Sequence, residues 1–201
     1  MITRTNAQMV SGGGDITDTT PDNAKFKCNG TGYITLPYTI NADYEVSVTF
    51  ETTGFVSNMA VLGNTVARTS PYYLHLTEFS NKWYSSNGTS EINFGSYSDG
   101  EHTCIINKDN SIYFDGSVVS SYTPTTKDDT NMVLFRRGGE SGYYTAIYSQ
   151  YFKSFTIKKI STGETICNIV PKRFLVFGTF QFECLFDTIS KTAYGNMGYI
   201  A

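Results

Sequence analysis

Charge is scarce in this sequence of 201 residues. Asp, Glu, Lys and Arg together make up 16% of it, against the roughly 25% usual in globular chains. The net charge is −3, and basic residues adjoin only in the pairs Arg136-Arg137, Lys158-Lys159 and Lys172-Arg173. With no basic stripe to neutralise a phosphate backbone, nucleic acid is excluded as a partner. No apolar run approaches the about 20 residues of a membrane-spanning helix, so no membrane partner is expected. The first 23 residues lack the apolar segment of a signal peptide, which sets the expectation of no common export signal. No window has helical periodicity, and no repeat of solenoid length occurs.

The residues that carry most chemistry are also few. The four cysteines, Cys28, Cys104, Cys167 and Cys184, are widely spaced. None forms a CxxC or a Cys/His pair, which excludes the common zinc sites. Cys104 and Cys167 lie in apolar runs and read as buried free thiols, while disulfide pairing stays open. The two histidines, His75 and His102, have no serine or cysteine elbow near them, and no GxSxG occurs. Gly12-Gly13-Gly14 follows no strand and precedes no lysine, so it is not a phosphate loop. A glycosidase needs two close carboxylates. On a strand these would read as alternating acids, and no such run exists. Glu45 and Glu51 share a strand but lie about 20 Å apart along it. The expectation is therefore a protein without catalytic residues and without enzymatic activity. No metal is assigned and no cofactor is expected. Calcium could draw on Asp99, Asp109, Asp115, Asp128 or Asp129, but no dense cluster signals it.

What the chain has in quantity is Tyr and Phe, 15 and 14 residues respectively, together with Thr, Ser, Asn and Gly. Aromatic and β-branched residues favour strands, and an uncharged polar face suits a sheet. In YEVSVTF, Tyr44, Val46, Val48 and Phe50 share one face and Glu45, Ser47 and Thr49 the other. That is a half-buried antiparallel strand. Similar runs recur, separated by turn signals such as SNG, SDG, KDN, FDG, RGGE and STG at the spacing of a sandwich. Near the C-terminus, Phe152, Ser154 and Thr156 alternate with Lys153, Phe155 and Ile157. A turn follows at Ser161–Gly163, and a second strand ends at Val170–Pro171.

The order of these segments carries a resemblance. KFKCNGTGYITLPY and YEVSVTFET come first, then EHTCIINKDNSIYFDGSVVSSY, then NMVLFRRGGESGYYTAIYSQYFKSFTIKKISTGETICNIVPKRF and ECLFDTISKTAYGNMG. Over residues 24–201 the chain resembles the concanavalin A-like, laminin-G-like jelly-roll domains. It is most similar to the variety found in structural proteins of tailed bacteriophages and surface proteins of gut bacteria. Tyr151–Ile157, Ile166–Pro171, Cys184–Asp187 and Ala193–Gly198 follow that family's order. The resemblance implies an all-β concanavalin A-like jelly-roll β-sandwich of antiparallel sheets, with Asp187 capping a turn.

Residues 1–23 then form a short N-terminal arm, flexible or ordered by a partner, with Met9 and Val10 as apolar anchors. The apolar stretch Phe174–Phe182 departs from the family pattern. Phe174, Phe177 and Phe180 in it are candidate partner contacts. Candidate ligand-binding aromatics are Trp83, Tyr84, Tyr72 and Tyr143, with Trp83 the first choice because it sits among Lys82, Ser85 and Asn87. The function expected is a structural virion protein of a tailed phage, a head fibre, capsid decoration or tail component. Its expected partners are other virion proteins, further copies of itself and host-surface glycan. The alternatives are a carbohydrate- or receptor-binding lectin-like module and, disfavoured, a glycoside hydrolase. The expected location is the virion, or alternatively a bacterial cell surface or the secreted fraction.

Overall fold

The computed structural model describes residues 7–8, 16–28, 33–39, 43–54, 59–64, 75–79, 81–86, 91–121, 131–135, 150–195 and 198–200. Among them every regular element is a strand. The first six are β1 (Ala7–Gln8), β2 (Ile16–Asp18), β3 (Phe26–Cys28), β4 (Ile34–Thr39), β5 (Tyr44–Thr52) and β6 (Ala60–Asn64). Then come β7 (His75–Phe79), β8 (Lys82–Ser86), β9 (Glu91–Ser96), β10 (Gly100–Lys108), β11 (Ser111–Phe114) and β12 (Ser117–Ser121). The last six are β13 (Asn131–Leu134), β14 (Gln150–Lys159), β15 (Thr165–Val176), β16 (Phe180–Asp187), β17 (Thr192–Gly195) and β18 (Gly198–Ile200). No helix among the described residues is long and apolar enough to cross a membrane.

The strands form two antiparallel sheets. The larger runs β1-β17-β16-β15-β14-β5-β10-β11-β12, with β2 on β15 and β3 between β14 and β18. The smaller runs β4-β13-β6-β7-β8-β9. Their facing sides interdigitate into one apolar core, an arrangement consistent with a jelly roll. From the larger sheet come Val46, Val48, Phe50, Cys104, Ile106, Phe152, Phe155 and Ile157. From the smaller come Ile34, Leu36, Val61, Leu62, Leu76, Trp83, Met132 and Leu134. Burying one such side chain contributes about 1.5–3 kcal/mol. The alternation seen in YEVSVTF therefore holds, with Val46, Val48 and Phe50 buried.

Two expectations about the C-terminal strands are corrected. Phe152 does not lie opposite Phe155. Phe152 faces Phe50, whereas Ser154 faces Thr49, so Lys153 is an extra residue on β14. This bulge shifts the alternation by one, and Phe152, Phe155 and Ile157 all turn inward. The strand after the Ser161–Gly163 turn does not stop at Pro171 either. It continues to Val176 and returns as β16 in register from Val176↔Phe180 to Ile169↔Asp187. Pro171 is tolerated because of its place on the edge. β14 pairs with β15 only up to Ile169, and the N-terminal segment takes over at Arg173, whose carbonyl accepts from Thr19 N at 2.8 Å. In that gap a missing N–H costs no ladder bond.

The apolar stretch is thus the end of a hairpin. Its turn places Phe177 at φ 52° and Gly178 at φ 68°, closed by Thr179 N donating to Val176 O at 3.2 Å. Two successive positive φ values are the demand of a type I′ turn. Glycine meets it freely and phenylalanine does not. The described parts of the N-terminal arm lie on this chain's own sheet. Ala7 pairs with Ala193, and Ile16–Asp18 pairs with Phe174–Val176. Arg173 N donates to Thr20 Oγ1 at 2.9 Å, and Lys172 pairs with Asp18 at 2.5 Å.

Candidate functional site

One register row on the outer face of the larger sheet brings charged and aromatic side chains together across five strands. The register runs Glu101↔Glu51, Glu51↔Tyr151, Tyr151↔Lys27 and Lys27↔Tyr199. Each residue is the outward member of its strand's alternation, and pairing brings them side by side, with opposite Cβ atoms about 4.5–5.5 Å apart. Lys25 joins from the segment before β3. Its Nζ lies 2.7 Å from Glu51 Oε1 and 4.3 Å from the centre of the Tyr151 ring. Lys27 Nζ donates to the Tyr151 hydroxyl at 3.3 Å and lies 5.1 Å from the same ring. Lys153, the bulge residue, forms an ion pair with Glu101. Tyr199 is 52% exposed.

The next row down is a floor of hydroxyls, because Thr103 pairs with Thr49 and Ser154 with Thr49. The two threonine oxygens lie 3.1 Å apart. The Tyr151 hydroxyl, accepting from Lys27, holds that ammonium above the usual lysine range. The face therefore offers tyrosine rings, hydroxyls, two carboxylate acceptors and three ammonium donors on rigid strands. Hydroxyl-rich ligands are bound by such groups: apolar ring faces against aromatics, and hydroxyls against charged donors and acceptors. Glu51 and Glu101 stand opposite each other in register on two strands, and each is ion-paired to a lysine.

The sequence-chosen aromatics fall elsewhere. Trp83 is 1% exposed, packed edge-on to Phe50 at 5.3 Å and stacked on Tyr97 at 5.9 Å. It lies between the sheets and not on a surface, because Trp83 and Ser85 take the inward positions of β8. Tyr84 takes the outward position of the same strand and is half-buried. Tyr72 and Tyr143 lie outside the described residues, as do Met9 and Val10. Phe174 is turned inward against Phe186, ring centres 5.4 Å apart, in a small cluster with Cys184 and Ala193. Phe177 and Phe180 stand at the hairpin tip, 69% and 71% exposed.

The buried polar groups serve the scaffold. Asp187 has no exposed surface. Its Oδ1 accepts from Asn168 N and Ile189 N, both at 3.0 Å. Its Oδ2 accepts from Ser190 Oγ at 2.6 Å and Tyr38 Oη at 3.3 Å. Burial pushes its carboxyl upward, but the Ser190 hydroxyl and the backbone amides of Asn168, Ile189 and Ser190 outweigh this and hold it below the usual range. Burial pushes the Tyr38 hydroxyl up to about 12. His102 is buried, with Nδ1 2.8 Å from Asp115 Oδ2 and Nε2 3.0 Å from Ser98 O. Both ring nitrogens thus face oxygen acceptors. Asp115 Oδ1 also accepts from Thr103 N at 2.9 Å.

Of the calcium candidates, Asp99 accepts from Gly54 N at 2.8 Å and Tyr97 Oη at 2.7 Å. Asp128 and Asp129 lie outside the described residues. Among the described residues no three His, Cys, Asp or Glu side chains converge as metal ligands would. Cys104, Cys167 and Cys184 are buried free thiols.

No protein-family model matches the chain, and no curated protein matches it. Among solved structures it is similar to the conserved carbohydrate esterase from Shiga toxin-encoding bacteriophage phi24B. That likeness has a TM-score of 0.42 and 13% sequence identity, over 73% of this chain and 87% of that one. The finding overturns the expectation that excluded enzymes, since the structure this chain resembles is described as an esterase. The activity itself is stated of the phage protein.

Proposed function

We propose that this chain is a carbohydrate-associated β-sandwich module whose outer sheet face binds saccharide. The observation that carries the reading is the single register row Glu101–Glu51–Tyr151–Lys27–Tyr199 above a hydroxyl floor. A glycan array followed by titration calorimetry tests it. Tyr199→Ala removes an exposed platform and is expected to weaken binding several-fold to tenfold, the loss of about 0.5–1.5 kcal/mol of ring contact. Circular dichroism is expected to stay unchanged, because Tyr199 is a surface residue. A blank array, or a Tyr199→Ala, Tyr151→Ala double variant that binds as the parent does, defeats the reading.

A second reading, attachment to a larger assembly of the tailed-phage virion kind that the sequence resembles, rests on the hairpin tip. Phe177 holds a positive φ that a bulky residue adopts at a cost of about 1–3 kcal/mol. It does so with 69% of its surface in water, and Phe180 stands beside it. Light scattering during size-exclusion chromatography, on the parent and on Phe177→Ser, Phe180→Ser, tests self-association. A parent that is monomeric at every concentration tried removes the homo-oligomer.

A further inference from the structure

We infer that the outer-face site takes an acidic saccharide, one carrying a carboxylate such as a uronic or sialic acid. The inference rests on the saccharide-binding reading above and adds the ligand's charge. Three ammonium groups meet two carboxylates in the row. Lys25 is matched by Glu51 and Lys153 by Glu101. Among the described residues Lys27 forms no ion pair, and its ammonium donates to the neutral Tyr151 hydroxyl.

Lys27 also sits at the centre of the aromatic half of the row, with Tyr151 on one neighbouring strand and Tyr199 on the other. A sugar ring lying on Tyr199 puts its ring substituents within reach of an unmatched ammonium. A neutral sugar would leave that charge without a counter-ion, and a carboxylate supplies one. The two glutamates do not repel such a ligand strongly, because each already holds its own lysine within contact distance. Glu51, next to Tyr151 in the row, is already engaged by Lys25.

The test is an array in which oligogalacturonate and sialyllactose each stand beside their carboxyl-reduced forms, read with the full chain at low and at high salt. The acidic members are expected to bind at least tenfold more tightly than their reduced partners at low salt. That margin is expected to shrink as salt screens the exposed charge. Lys27→Gln is expected to remove the preference, so that acidic and reduced members bind alike. Tyr199→Ala is expected to weaken both. Equal binding of acidic and reduced members, or a preference that survives Lys27→Gln, overturns the acidic class and leaves saccharide binding standing. Binding by neither pair, with the rest of the array also blank, overturns both.

Discussion

Asp187 is expected to be the most costly single polar side chain to remove from the scaffold. Substituting Asp187→Ala deletes one acceptor oxygen for the amides of Asn168 and Ile189 and another for the hydroxyls of Ser190 and Tyr38. Ser190 Oγ has a second partner in Thr192 Oγ1 at 3.0 Å, so its loss is partly compensated. The two amides cannot turn away. A buried donor left unsatisfied costs about 1–3 kcal/mol. The variant is therefore expected to lose about 3–5 kcal/mol in urea unfolding, with an unchanged m-value. For a chain of this size that corresponds to roughly 6–20 °C in Tm.

Asp187→Asn keeps an acceptor for the amides, and both hydroxyls can rotate to become acceptors themselves, so its expected cost is about 1 kcal/mol. The two variants also differ from the parent with pH. The folded carboxyl is held below its usual range, while in the unfolded chain it titrates near about 3.9. The unfolded state then binds the proton first as pH falls. Asp187 accordingly stabilises the protein fully above the unfolded value and stops doing so as pH drops through the folded one. In Asp187→Asn the acid limb of stability against pH is expected to be flatter than in the parent. An Asp187→Ala protein within about 0.5 kcal/mol of the parent, the range of an ordinary surface change, would refute the reasoning. So would parent and Asn curves that run parallel through the acid limb.

Three further outcomes are expected. Phe177→Asn puts a residue at home with positive φ into the hairpin turn, and is expected to raise stability by about 0.5–1 kcal/mol while removing an exposed ring; denaturant midpoints decide. Trp83 is the only tryptophan and lies in the core, so its emission is expected at the blue end of the indole range and unmoved by saccharide. Trp83→Ala is expected to cost about 3–5 kcal/mol; a red-shifted native spectrum would contradict its placement. In a Cys28→Ser variant the remaining thiols are expected to resist a thiol reagent until denaturant is added. Burial pushes Cys104 and Cys167 upward, and Cys184 up to about 12, so a fast native reaction would count against their burial.

The sequence made the core legible where alternation was clean, as in Tyr44–Thr52. It failed at Lys153, because a bulge leaves no mark in the identities of its neighbours, and one extra residue moved Phe152 to the inner face. It misplaced Trp83 because the polar neighbours Lys82, Ser85 and Asn87 say nothing about which of two sheet faces is covered. The outer row was out of reach for a different reason. Glu51 and Glu101 are 50 positions apart, and Lys27 and Tyr199 are 172 apart. Only strand pairing makes them neighbours, and register is a property of the folded sheet. Asp187 was legible because its work is local, with three of its four donors lying within a hairpin's reach on either side.

The interleaving of the two ends in one sheet has a kinetic meaning. Residues 7 and 8 pair with 193 and 192, and Phe26–Cys28 lies between β14 and Gly198–Ile200. Contacts that span nearly the whole chain must close loops of that length before they stabilise anything. The β14–β5–β10 centre can assemble from shorter loops, but β3 stays an open edge until the last strand arrives. Refolding followed at Tyr199 is therefore expected to lag behind refolding followed at Trp83.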